Sequence, residues 1–148
     1  MSHRVVLDTS TLVSAALRIG SIPHKALLEA FRRWDVCASR ETLAELDRVL
    51  DRSKFDRYLP RSSRRDFLAL VRRRTHLFAV EEADIQAVNP PCRDRADNKF
   101  LALALSAEVE VLVSSDEDLL ILHPWHDMPI VTPSDFLARY NKPPQSSR

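Results

Sequence analysis

Short apolar runs alternate along this chain with longer stretches whose apolar positions recur every three or four residues. Arg4-Val5-Val6-Leu7-Asp8 is a short apolar run closed by an acid, the pattern of a buried strand. Thr9, Ser10 or Thr11 then caps a helix over residues 12–17, which Gly20 stops. Pro23 opens the next helix, whose stripe is Ala26, Leu27, Ala30 and Phe31. Asp35-Val36-Cys37-Ala38 reads as a second strand. Ser39 caps a helix with a core face of Leu43, Leu46 and Leu50. Glu41 and Glu45 lie one turn apart on that helix, and Thr42 to Glu45 also fits the spacing of a capping box.

A short turn over residues 54–59 ends at Pro60, and Ser62-Ser63 caps a helix carrying Phe67, Leu68, Leu70 and Val71. Residues 76–80 form a strand pattern and Asn89-Pro90-Pro91 a stiff loop. Asp97 opens a helix whose apolar face is Phe100, Leu101, Ala104 and Leu105, with its charge at the positive end of the helix dipole. Val111-Leu112-Val113 is a fully buried strand, followed by Asp116-Glu117-Asp118 turning into a short helix. Residues 129–131 form a last strand, and Thr132-Pro133 starts a final helix. Residues 141–148 read as a flexible tail.

Strands thus alternate with helices throughout. The pattern predicts an α/β fold: a central, mostly parallel sheet with helices on both faces, in one domain over residues 1–140. Open sheets of this kind form their sites beyond the carboxyl ends of the strands. Asp8 and Asp116 fall just past strand ends, Asp97 at a helix start, and Glu45 on the helix after the second strand. The topology lets the four meet at one edge of the sheet.

Converging carboxylates repel one another unless a cation neutralises them, and an all-oxygen ligand set suits Mg²⁺ or Mn²⁺. Such ions activate water and polarise phosphoryl oxygens, which supports phosphodiester hydrolysis. No His or Cys spacing points to zinc. Ser10 stands where an aspartyl-phosphate phosphatase has its second acid, and the acids do not cluster as in a receiver-type phosphoacceptor. With a single glycine in 148 residues there is no glycine-rich phosphate loop, and no nucleophile-elbow motif is present.

Composition changes this picture in one respect. The net charge is +1, yet residues 32–76 carry +6 and residues 77–136 carry −9. A basic middle and an acidic second half suit a protein that holds a cation in one place and phosphates in another, although charge runs also simply solvate helix faces. No apolar run approaches a membrane span, and the N-terminal stretch lacks a signal-peptide pattern. The two cysteines, Cys37 and Cys92, read as reduced thiols, so a cytoplasmic protein is expected.

Four segments together resemble the PIN-domain family, and most closely its toxin components of toxin–antitoxin pairs. They are Val5-Val6-Leu7-Asp8-Thr9-Ser10, Ser39-Arg-Glu-Thr-Leu-Ala-Glu45-Leu, Arg93-Asp94-Arg-Ala-Asp97-Asn-Lys-Phe-Leu-Ala-Leu-Ala, and Leu112-Val-Ser114-Ser-Asp116-Glu-Asp-Leu-Leu. The resemblance runs from about residue 4 to residue 137. It implies a three-layer α/β/α nuclease, VapC-like, that uses Mg²⁺ or Mn²⁺ to cleave single-stranded RNA.

Asp8, Glu45, Asp97 and Asp116 match the family's catalytic acids, with Asp8, Asp97 and Asp116 holding the ion directly or through water. Glu45 or Asp116 orients the attacking water. Ser10 and Ser114 match orienting hydroxyls, and Asp94 and Asp118 secondary acids. Ala96 stands where another acid is frequent and Ser115 where glycine is frequent. The basic segment (Arg57, Arg61, Arg64, Arg65, Arg72, Arg73 and Arg74) is expected to guide the RNA backbone. An antitoxin protein and a homodimer are the partners implied. The alternative is a PIN-fold binding module with little catalysis that acts through a protein partner.

Overall fold

The structure is a computed structural model and describes residues 3–140; the expected tail lies outside the described residues. Five parallel strands form one sheet in the order β3-β2-β1-β4-β5. They are β1 (Arg4–Leu7), β2 (Asp35–Ser39), β3 (His76–Phe78), β4 (Val111–Val113) and β5 (Ile130–Val131). Helices α1 (Thr9–Leu17) and α2 (Ile22–Arg33) link β1 to β2, and α3 (Arg40–Leu50) and α4 (Arg61–Arg74) link β2 to β3. The chain then crosses to the other side of β1 through α5 (Glu82–Gln86) and α6 (Asn98–Ser106). It ends with α7 (Glu117–Leu120) and α8 (Pro133–Tyr140) around β5.

Alternation along the strands makes the three layers. Val5, Leu7, Val36, Ala38, Val111, Val113 and Val131 face a core built with α1, α2, α3, α4 and α8. Val6, Cys37, Leu112 and Ile130 face a second core built chiefly with α6. Burial on both faces is why β1 and β4 read as continuous apolar runs. Both cysteines are buried and free, and burial pushes each thiol up to about 11, which leaves them unreactive at neutral pH.

Strand order reverses between β1 and β4. The chain winds outward from β1 to β3, then returns to the far side of β1. The crevice at the carboxyl ends of β1 and β4 is therefore the topological switch point. Asp8 N donates to Val113 O at 3.0 Å, which closes the ends of these two strands together.

Several local boundaries differ from the sequence expectation, each for a physical reason. Helix α1 begins at Thr9 because Asp8 itself is the cap, accepting from Thr11 N at 3.0 Å. The capping box of α3 joins Ser39 to Thr42, which leaves Glu45 free for other contacts. Helix α4 starts at Arg61 behind Pro60, with Ser62 and Ser63 inside its first turn rather than at its cap. Strand pairing in β3 stops at Phe78. Glu81 and Asp84 then cap α5 reciprocally, an element no apolar stripe announces. Leu105, assigned to the buried face of α6, is 56% exposed. Gly20 has φ of +85°, so the α1–α2 turn uses the conformation that glycine alone adopts freely.

The largest correction concerns Arg64. Its side chain is fully buried, so it reaches no nucleic acid. Nη1 donates to Leu50 O at 2.6 Å and Arg52 O at 3.0 Å, Nε donates to Leu59 O at 3.0 Å, and Nη2 pairs with Asp56. The guanidinium thus closes the α3–α4 connection by satisfying carbonyls that the end of α3 leaves without helical partners.

Candidate active site

Asp8, Glu45, Asp94, Asp97 and Asp116 line one cleft of about 530 Å³ at the switch point. Asp8 is buried to 3% exposure. Its Oδ2 accepts from Ser114 Oγ at 2.5 Å, and Oδ1 accepts from Thr11 N at 3.0 Å and Ser10 Oγ at 3.1 Å. Burial raises its pKa from the usual carboxylate value, opposed by these hydrogen bonds. Ser114 links two acids, since its Oγ also accepts from Asp116 N at 2.9 Å.

Asp116 caps α7 through Asp118 N at 2.9 Å. Asp97 stands beside it, entering α6 from a 3₁₀ turn that Asp94 caps through Ala96 N at 3.0 Å. Burial first, then the neighbouring Asp116 carboxyl and the charges of Asp94 and Glu45, push the Asp97 carboxyl up to about 8. Its Oδ2 is buried and has no hydrogen-bond partner. Two carboxylates in contact cannot both stay charged without a proton or a cation between them.

Glu45 is held differently. Thr9 Oγ1 donates to Oε1 at 2.5 Å, and the Lys99 ammonium lies 2.5 Å from Oε2, with both charged side chains about 15% exposed. Its charge is therefore answered within the protein.

Sequence reasoning missed Thr9 and Lys99. Lys99 follows Asp97 by two residues, but its contact with Glu45 spans 54 positions, which no local spacing reveals. It also missed Arg48, Arg52 and Lys54, which line the same cleft. Arg48 lies one turn beyond Glu45 on α3, and that spacing could have found it.

The remaining expected residues fall into separate places. Ser10 lines the cleft, Ser114 lies buried beneath it, and Asp118 sits behind Asp116 on α7, outside the lining. None of the seven basic-segment arginines lines it. Arg61 pairs with Asp51 at 2.7 Å, while Arg65 and Arg72 share Asp47 at 2.5 and 3.4 Å. Arg57 lies over the Tyr58 ring, Arg74 over Phe31, and Arg73 is exposed on α4.

Among the described residues no three His, Cys, Asp or Glu side chains stand as a ready set of metal ligands. The Asp97–Asp116 pair nonetheless offers hard oxygen donors, one of them buried and unpartnered, which fits a divalent cation of the Mg²⁺ or Mn²⁺ kind. No helix among the described residues is long and apolar enough to cross a membrane.

No curated relative matches the chain in sequence. Similar solved structures include PAE2754 from Pyrobaculum aerophilum, at 14% identity and a TM-score of 0.60, covering 93% of this chain and 88% of that one. VapBC2 from Rickettsia felis, crystallised with a DNA fragment from its promoter, matches at 14% identity and a TM-score of 0.60, covering 87% and 98%. VapC20 of Mycobacterium tuberculosis, a toxin that cleaves the sarcin–ricin loop, matches at 12% identity and a TM-score of 0.56, covering 80% and 95%. At these identities the likeness is one of fold. The model of the PIN domain matches residues 4–118, a span that runs from β1 through the Asp97–Asp116 pair, and the chain belongs to the PIN-domain family.

Proposed function

We propose that the chain is a metal-dependent endoribonuclease that hydrolyses phosphodiester bonds of single-stranded RNA, the VapC-like toxin of a toxin–antitoxin pair. The observation that carries this reading is the closeness of Asp97 and Asp116, a pair that no cation among the described residues neutralises by an ion pair. Asp97 and Asp116 would hold Mg²⁺ or Mn²⁺, with Asp8 below them reaching the ion through water. The ion supplies Lewis acidity toward a phosphoryl oxygen.

The protein groups have distinct tasks. Ser114 fixes Asp8 and the Asp116 backbone in one register. Asp116 orients the attacking water, and Asp97 keeps its unpartnered Oδ2 for the ion. Glu45 is fixed by Thr9 and Lys99, so it shapes the cleft wall rather than moving a proton. The fold shared with VapBC2 and VapC20 supports a protein antitoxin as partner, and a small DNA-binding protein encoded beside this gene would match that pairing. A homodimer and a cytoplasmic location belong to the same proposal.

The test is cleavage of single-stranded RNA with Mn²⁺. Wild type cuts, and Asp8→Asn is slower by about 100-fold or more. Equal rates would overturn the assignment. A second reading, a PIN-fold module acting through a partner, draws on the absence of a ready three-acid ligand set among the described residues. It predicts neither cleavage nor stabilisation by Mn²⁺.

A further inference from the structure

The cleft has three differently made surfaces. Its floor is the carboxylate group. One wall is the α3 face and the 3₁₀ turn after it, where Arg48, Arg52 and Lys54 are exposed. Arg48 lies one turn beyond Glu45 on α3 and Arg52 just past the end of that helix, and both line the cleft beside the acids. Among the described residues the side chains of Arg48 and Arg52 make no ion pair or hydrogen bond, in contrast with Arg61, Arg64, Arg65 and Arg72. The apolar part of the lining is Val13 and Leu17 of α1 together with the partly buried Phe55 of the same 3₁₀ turn, whose ring lies 5.1 Å from the Lys54 ammonium.

We propose that this strip is a nucleotide subsite adjoining the acids, with phosphates on Arg48, Arg52 and Lys54 and one unpaired base against Phe55, Val13 and Leu17. The inference rests on the ribonuclease reading and adds the residues that seat the strand. Free guanidinium groups suit phosphate oxygens and a carboxylate floor repels them, so the backbone is held on the cationic wall, beside the acids rather than over them. An aromatic ring beside a cation is the combination that binds single strands without reading sequence. A base lies on that wall only if it is unstacked and unpaired, which selects single-stranded over duplex RNA. The cleft volume of about 530 Å³ falls within the range of small-ligand sites. The arginines of α4, either paired or turned to other surfaces, then contribute little.

The test is fluorescence anisotropy of a labelled ten-nucleotide single-stranded RNA, in EDTA so that nothing is cut, across a salt series. Arg48→Ala/Arg52→Ala is expected to flatten the slope of log affinity against log salt by about 1.4, at roughly 0.7 per lost phosphate contact. Phe55→Leu is expected to weaken binding by roughly 5-fold or more while leaving the slope as in wild type. A duplex of the same sequence binds more weakly than the single strand. Melting curves of each variant establish that it is folded, and Arg48→Ala alone, at an exposed position, serves if Phe55→Leu is not. An unchanged slope in the double variant, or a slope lost instead in Arg73→Ala/Arg74→Ala, overturns the subsite. If Asp8→Asn cuts as fast as wild type while Arg48→Ala/Arg52→Ala loses binding, the acid assignment fails and the subsite stands. If wild type binds no single strand, both fall.

Discussion

The α3–α4 segment and the carboxyl end of the sheet are both dense in charge, but they treat it in opposite ways. Along α3 and α4, Asp47 takes Arg65 and Arg72, Asp51 takes Arg61, and Asp56 takes Arg64. The hydrogen bond from Arg65 holds the Asp47 carboxyl below its ordinary value. At the sheet end, Asp97 and Asp116 meet with no ion-paired cation among the described residues, and the Asp97 carboxyl rises to about 8. The first region has the larger run of cations and the more settled electrostatics. What separates structural charge from functional charge here is whether a counter-charge is present, and formal charge along the sequence does not report that.

The largest expected effect is on chemistry. Asp116→Asn removes the proposed water-orienting carboxylate and should slow RNA cleavage by roughly 100- to 10,000-fold. Melting of the metal-free protein should not fall with it. A variant that retains full activity breaks the contrast between the two regions.

Next in size is Arg64→Met, in the balanced region. It leaves the carbonyls of Leu50, Arg52 and Leu59 without their donor and should cost about 3 kcal/mol. Melting would drop by roughly 10 °C for a chain of this size, with cleavage by the folded fraction retained. Urea denaturation checks the first claim and a per-folded-molecule rate the second.

Lys99→Met tests Glu45, the cleft acid that is ion-paired among the described residues. Removing the ammonium leaves Glu45 largely buried with only Thr9, at a cost of about 2 kcal/mol. Adding Glu45→Gln should recover part of that loss, so a double-mutant cycle shows coupling between positions 45 and 99. Additive costs would mean that the pair is incidental. The smallest effect is expected for Arg61→Ala, whose solvent-screened bond to Asp51 should leave the melting temperature almost unmoved.

Much of this arrangement is legible in the order of residues alone. Apolar runs at β1 and β4 mark strands buried on both faces, and the acids after them mark the carboxyl ends of those strands. The sheet order is not legible, because the placement of β4 beside β1 depends on a crossover and not on local pattern. The cap of α1 is easily misplaced because Asp8 has two roles: the same carboxylate that faces the cleft also takes the Thr11 amide. Arg64 misleads for the opposite reason. A guanidinium in a run of arginines looks exposed, and only the packing of the α3–α4 turn shows that it is fully buried. The cationic wall at Arg48 and Arg52 is hidden by neighbouring acids along the chain, Asp47 and Asp51, whose partners lie on α4.

The unanswered Asp97–Asp116 charge is the centre of this account, and melting of wild type and Asp97→Asn across pH, with and without Mn²⁺, tests it most directly. Asp97 ionises near 3.8 when unfolded and near 8 when folded. Over that interval the folded protein holds a proton that the unfolded chain releases, so this group's contribution to stability falls as pH rises from about 4 to 8. Metal-free Asp97→Asn should therefore melt higher than wild type at pH 8, with the difference shrinking towards pH 5. Millimolar Mn²⁺ at pH 8 should raise the wild-type melting temperature by several degrees and leave Asp97→Asn nearly unmoved. Parallel melting of the two proteins at every pH, with no response of the wild type to Mn²⁺, would contradict it.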